Sequence, residues 1–207
     1  MSRQLAQIAK KAKLDRKMRF TSLAHLFTPE FLTETWWMMN RHGASGIDGE
    51  STQQFESGLE QRIREICGRL KTGVYLAPPV RRVEIPKGPG KSGTRPLGIP
   101  TVEDRLLQRA VARILEAIFE ADFCDFSYGF RPARNPHHAL LALRLQILTG
   151  KVSHVYEADI RGFFTHVNHQ WLQRMLAHRV GEAHLVRFVD DFVASTSTSA
   201  CIIVRVS

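Results

Sequence analysis

The stretch RFVDDFV, residues 187–193, sets two adjacent carboxylates, Asp190 and Asp191, inside an apolar, strand-like run. Burying one ionised carboxylate costs several kcal/mol, and a like-charged neighbour raises that cost. A fold that contains this run must therefore offset two negative charges. In a continuous strand, neighbouring side chains point to opposite faces, so both could not serve one site. At a hairpin tip the alternation relaxes and the pair can converge. A divalent cation would then offset the charge, and hard carboxylate oxygens suit Mg²⁺, with Mn²⁺ as the alternative. The plainer reading is a solvated turn between two strands.

A third carboxylate lies 31 positions upstream, in SHVYEADI, residues 153–160. Read as a strand, this run puts Tyr156, Ala158 and Ile160 on one face and Val155, Glu157 and Asp159 on the other. The expectation is that the apolar face packs on a core and leaves Asp159 aimed at a cleft. The spacing to Asp190 suffices for a strand–helix–strand unit. Asn168 is the expected N-cap of the intervening helix, residues 169–180.

The rest of the chain reads as a mixture of helices and strands. A short basic helix is expected at 4–13 and an amphipathic one at 56–70, with Leu59, Ile63, Ile66 and Leu70 at helical spacing. The clearest helix spans 103–120, with Leu107, Val111, Ile114 and Ile118 on one face and Arg105, Arg109 and Arg113 elsewhere. VRRVEI, residues 80–85, alternates like a strand and opens into a Gly/Pro/Lys loop, and an apolar helix is expected at 137–148. Trp36 and Trp37 read as core residues, with base stacking as the lesser alternative.

Charge narrows the function. The chain of 207 residues has a formal net charge of +9. Residues 1–19 hold seven Lys/Arg against one acid, and residues 81–113 hold eight against three. Two such clusters favour a polyanionic partner, nucleic acid above all. No apolar run approaches a membrane span, so no membrane partner is expected. The cysteines, Cys67, Cys124 and Cys201, are far apart and form no CxxC, as reduced core thiols would. The expected compartment is the cytoplasm of a bacterial cell, with an organellar address as the alternative. HVNH, residues 166–169, has no Cys pair or Glu beside it and is not read as a zinc site.

Five ordered motifs carry a resemblance: GASGIDG (43–49), IPKGPGKSGTRPLGIPTVEDR (85–105), SYGFRPARNPHHAL (127–140), EADIRGFFTHVNH (157–169) and LVRFVDDFV (185–193). In this order they resemble the reverse transcriptase of group II intron-encoded proteins. The resemblance implies an α+β fold, a right-hand polymerase with fingers and a partial palm. Residues 1–80 would form an N-terminal extension and the start of the fingers, 81–150 the fingers, 151–193 an abbreviated palm, and 194–207 an atypical tail. Asp159 and Asp190, with Asp191 beside them, would hold two metal ions for nucleotidyl transfer. Lys87 and Arg95 would grip the incoming deoxynucleoside triphosphate, and Phe163 or Phe164 would gate its ribose. Gly43, Gly46 and Gly49 would lie over the template, and Arg131 and Arg134 would stand near the template–primer. The implied partners are an RNA template, intron RNA, and a DNA primer or target.

The chain also departs from that family. Phe-Val-Asp-Asp stands where Tyr-Ala-Asp-Asp is usual, which keeps the carboxylates. Ala133, Arg134, Asn135 and Pro136 follow Arg131 closely where Gly-Arg-Ser is usual, and loss of the Gly is expected to alter the turn. Only Gly181, Glu182 and Ala183 separate Val180 from His184, where the family carries a long segment with a PQG-type motif. The thumb is expected to be missing too, since Val193 lies fourteen residues from the last residue given. The expected consequence is a chain that does not extend a primer alone. The rival readings are a non-catalytic RNA-binding remnant, a metal-dependent nuclease using the same carboxylates, and a decayed product with no stable fold.

Overall fold

The computed structural model describes residues 2–88, 92–150, 152–160 and 166–182, together with the backbone of Cys201–Ile202. The Asp190–Asp191 pair, Phe163 and Phe164 lie outside the described residues, as does the side chain of Asp159. The arrangement is α+β, mostly helical, with small two-stranded sheets.

The helices follow their caps. α1 spans Arg3–Leu14, with Ser2 accepting from the Leu5 N–H. α2 spans Pro29–Trp37 behind a Thr28 cap and a proline in its first turn, where the missing N–H costs nothing. The short α3, Thr52–Glu56, begins with a reciprocal Ser51–Gln54 capping box. α4 spans Leu59–Lys71. α5, the longest at Val102–Phe119, is capped by Thr101 and carries Glu103 and Asp104 in its first turn, where the helix dipole favours acids.

The core gathers around α5. Leu107, Val111, Ile114 and Ile118 are all buried, as their spacing requires, and α1, α2 and α3 pack against this helix. Trp36 is fully buried and stacks on Phe55 at 5.1 Å between centroids. Trp37 does not join it. Successive helix residues are rotated by about 100°, and Trp37 points to solvent, where the Arg41 guanidinium lies 5.0 Å from its ring. The expected core placement therefore holds for one of the two tryptophans.

Two of the buried arginines join elements across this core. Arg113 donates to Thr35 Oγ1 at 2.6 Å and Glu34 Oε1 at 2.8 Å, with its guanidinium 4.7 Å from the Phe31 ring. Arg179, at the end of α7 (His169–Arg179, capped by Asn168), donates to the carbonyls of Arg16 and Ala12 and lies 3.4 Å from Asp122. A short seam continues this junction. The Phe20 N–H donates to Arg179 O, and the Gly181 N–H donates to Phe20 O, each at 2.7 Å. Glu182 then accepts from the N–H groups of Leu23 and Ala24 at the 3₁₀ turn Ala24–Leu26.

β1, Arg81–Pro86, pairs antiparallel with β2, Thr94–Ile99, with Ile85 opposite Arg95. α6 spans Pro136–Thr149 with none of its residues buried. Of the strand expected over 153–160, only Ala158–Asp159 is regular; as β3 it pairs antiparallel with β4, Cys201–Ile202. The apolar face assigned to it is not packed on the core. Tyr156 and Ile160 are exposed, because no described element covers them.

The connection from α5 to α6 is built on Arg131. Its guanidinium donates to both carboxylate oxygens of Glu120 and to the carbonyls of Cys124 and Ser127, and lies 4.9 Å from the Phe123 ring. Ala133 follows at φ 57°, in the left-handed region that glycine favours. The turn thus keeps a glycine-like conformation with alanine in it. Since an L side chain in that region costs roughly 1–2 kcal/mol, Ala133→Gly should raise the unfolding free energy by about 1 kcal/mol. Urea denaturation checks this, with an upward shift of the midpoint expected.

Candidate nucleic-acid interface

The loop between α2 and α3 closes onto the start of α5. A Cβ on Gly46 would fall 2.6 Å from Thr101 Cα and 3.0 Å from the Pro100 carbonyl carbon, so only glycine lets this backbone approach. A Cβ on Gly43 would collide with Nη1 of Arg105. Gly49 sits at φ 70° with open space around it. Between Gly43 and Gly49 the loop bonds to itself only through Gly49 N–H and Gly46 O, while its flanks are tied by Arg41 to Glu56 and by Arg62 to Glu50.

The β1–β2 hairpin arrives at the same place, because β2 ends at Ile99 and Pro100 leads into the Thr101 cap. Lys87 and Arg95 stand at its other, loop end, where Arg95 lies opposite Ile85 and Lys87 follows the last paired residue of β1. The Lys87 N–H donates to Gly93 O at 3.0 Å, and Gly93 takes φ 94°, a conformation suited to glycine. Both cationic side chains are exposed, and neither makes a hydrogen bond or ion pair among the described residues. On the same hairpin Glu84 is engaged, accepting from Arg82 and from Thr94 Oγ1. The free charge of the hairpin is therefore positive.

Polar groups behind the loop fix the start of α5. Tyr75 Oη donates to Asp104 Oδ1 at 3.2 Å, Gln108 Nε2 donates to Asp104 Oδ2 at 2.7 Å, and Asp104 N–H donates to Thr101 Oγ1. Burial pushes the Tyr75 hydroxyl well above the usual phenol range, and the charges of Asp104 and Glu103 push the same way. Tyr75 thus stays a neutral donor. Arg69 reaches Glu103 at 2.7 Å, which holds its guanidinium charged.

Sequence reasoning placed Arg105 only as a charge on the polar side of its helix. Instead it is half-buried beneath the Gly43 end of the loop, and its Nε and Nη2 are sealed from solvent without a hydrogen-bond partner. Desolvation favours its neutral form, opposed by the charge of Asp48 in the loop above. No sequence signal distinguishes Arg105 from Arg109, which is paired with Glu116 on the surface.

Of the expected contacts near a template–primer, Arg131 has its donors engaged inside its own loop, and its bond to Glu120 holds it charged. Arg134 is less committed. It donates once, to Asp125 O at 2.9 Å, and lies 5.2 Å from the Tyr128 ring. Asp159 is placed by its backbone on β3. Its side chain, Asp190, Asp191, Phe163 and Phe164 fall outside the described residues, so the structure does not test whether these groups meet. Among the described residues no group of three His, Cys, Asp or Glu could hold a metal ion, and no helix is long and apolar enough to cross a membrane.

The structure brings together the glycine loop, the open end of the hairpin and Arg105 at the N-terminal end of α5, while Lys87 and Arg95 stand toward the loop end of the hairpin. Comparison with known proteins bears on this same region. A family model described as reverse transcriptase (RNA-dependent DNA polymerase) matches residues 85–182, from within β1 to the seam after α7. Protein YkfC of Escherichia coli strain K12 is 35% identical over 187 residues, which are 87% of this chain and 49% of that protein. The group II intron-encoded protein LtrA of Lactococcus lactis subsp. cremoris is 32% identical over 190 residues, 91% of this chain and 31% of that protein. Nuclear intron maturase 1, mitochondrial, of Arabidopsis thaliana is 34% identical over 79 residues, 36% of this chain and 11% of that protein. The chain thus spans half or less of these relatives' lengths. Taken with the five ordered motifs, these likenesses show that the chain belongs to the family of group II intron-encoded reverse transcriptases and maturases.

Proposed function

We propose that this chain is the fingers and an abbreviated palm of an RNA-directed DNA polymerase, that it binds RNA, and that alone it does not extend a primer. The observation that carries the proposal is a contrast within one stretch. The family match covers the hairpin with its free Lys87 and Arg95, yet ends at Glu182, short of Asp190 and Asp191. Between Val180 and His184 stand three residues only. In the described part of this junction, Gly181 and Glu182 are bonded to residues 20–24.

In this reading residues 1–80 are the N-terminal extension and the start of the fingers, 81–150 the fingers, 151–193 the abbreviated palm, and 194–207 a tail. Lys87, a compact point charge, and Arg95, a planar fork, hold the triphosphate of a deoxynucleotide. The loop from Gly43 to Gly49 lies over an RNA template, its glycines allowing close approach to phosphates. Arg134 touches the template–primer, and Arg131 shapes the loop that presents it. Phe163 or Phe164 faces the sugar.

The donor set of Asp159, Asp190 and Asp191 is all carboxylate oxygen, which fits Mg²⁺ or Mn²⁺. Bound there, a pair of such ions supplies charge stabilisation to the attacking and leaving oxygens of a phosphoryl transfer. Positioning carries much of that reaction's barrier reduction, and the segment that would floor the nucleotide is not at its expected place in the chain. A second reading, a maturase-like protein that binds intron RNA without catalysis, draws on the same contrast and on the intron maturase among its relatives.

Incubation of the purified chain with an RNA template, DNA primer, deoxynucleotides and Mg²⁺ should give no extension. Extension abolished by Asp190→Ala would contradict the proposal. Lys87→Met with Arg95→Met should weaken deoxynucleoside triphosphate binding about tenfold, a loss of roughly 1.4 kcal/mol. The melting temperature should stay in place, because neither cation has a described partner in the fold. Calorimetric titration checks the first expectation and thermal unfolding the second.

A further inference from the structure

A helix that is apolar on every side belongs in the interior of a folded assembly. α6, with the sequence PHHALLALRLQILT, is such a helix, yet none of its residues is buried. Exposure separates two of its faces. Ala139, Ala142 and Leu143 are half-buried and share one side. On the opposite side Leu141, Leu145 and Leu148 are each more than half exposed. With about 100° between successive residues they fall within about 60° of one another, at i, i+4 and i+7, and form one straight seam. Leu140 and Ile147, 62% and 45% exposed, widen this face to one side.

The chemistry of the face selects its partner. It carries one charge, Arg144, and no acid. A single cation among leucines does not make a polyanion site, which needs several. No described helix is long and apolar enough to cross a membrane. What fits is an apolar polypeptide surface.

Area then decides whether a second copy could be that surface. At about 30 Å² for each methylene-sized group, the five exposed α6 side chains present roughly 350 Å², no more than many monomers carry. The segment that follows adds to it. Val152, Val155, Tyr156 and Ile160 are exposed too, which brings the apolar surface to roughly 600 Å² per copy. Two copies would bury about 1,200 Å², at the lower edge of specific interfaces and above the range of chance packing contacts.

We infer that α6 and the segment after it form the interface of a homodimer, in which the leucine seam of one copy packs antiparallel against the same seam of the other. The seam is complementary to itself. Its spacing of four then three residues, met in reverse, sets Leu141 of one copy beside Leu148 of the other, with Leu145 near the twofold axis. Arg144 flanks that axis on each copy, its stem along the leucines and its head in water. The two guanidinium groups repel across the axis, so added salt strengthens the pair. The dimer goes beyond the proposed function and does not depend on RNA binding.

Sedimentation equilibrium of the full chain, treated with nuclease, tests it over a wide range of protein concentration. The expected result is a monomer–dimer equilibrium in the micromolar range that KCl leaves unchanged or strengthens. Leu141→Lys with Leu145→Lys should weaken association at least about tenfold, as loss of a central apolar pair does. The wild-type melting temperature should climb with protein concentration, because only folded chains pair. The double variant should melt at one temperature throughout, equal to that of dilute wild type. A wild-type chain that stays monomeric would overturn the inference, as would a dimer that survives the double substitution. Dissociation by KCl would overturn it too, since it would assign the contact to opposite charges or to bound nucleic acid. A double variant that melts below dilute wild type would show that the chain's own residues cover the seam, with the same consequence.

Discussion

Ten side chains of one helix, α5, are buried, and the positions of the other elements follow from how they cover it. Burial of a Leu or Ile side chain is worth about 1.5–3 kcal/mol, so this helix is the main apolar anchor of the fold. α1, α2 and α3 pack on its length, and its N-terminal end is fixed by the Thr101 cap and the Asp104–Tyr75–Gln108 bonds. Because Gly46 touches Thr101 and β2 runs into the same cap, the loop and the hairpin are brought together by the helix that both abut. The candidate interface is thus a consequence of core packing, built at the one end of α5 where the dipole is positive.

The net charge of the chain overstates what faces a partner. Arg113, Arg131 and Arg179 are engaged in joining elements, to Glu34, Glu120 and Asp122 respectively. Planar guanidinium groups suit this work, since one can bridge carboxylates and carbonyls while stacking on a ring. Among the described residues, what remains unengaged on the hairpin is Arg81, Lys87 and Arg95. The proposed RNA binding would draw on these few groups and on the basic helix α1.

Much of this was legible in the sequence for a physical reason: helices with one apolar stripe and a side-chain cap announce themselves. The 103–120 pattern gave α5 to within a residue at each end, and Asn168 capped α7 as expected. The 153–160 strand was not recoverable, because strand alternation records which face could be buried, not whether anything covers it. Tyr156 and Ile160 have the right period and no cover among the described residues. Trp37 was misplaced because adjacency to Trp36 says nothing about which face each takes. That Arg131 would hold its own loop was not legible, because its partner Glu120 lies eleven positions back with no local signature. Arg105 escaped notice for the converse reason: its distinction is a missing partner, which only three-dimensional structure can show.

Amide hydrogen exchange with and without single-stranded RNA, read segment by segment in EDTA, tests most directly whether nucleic acid meets the protein at the α5 N-terminal end. The account requires slowed exchange in residues 43–49 and 81–99, with α4 at Leu59–Lys71 unchanged. Protection confined to α4, or protection that appears only when Mg²⁺ is added, would contradict it.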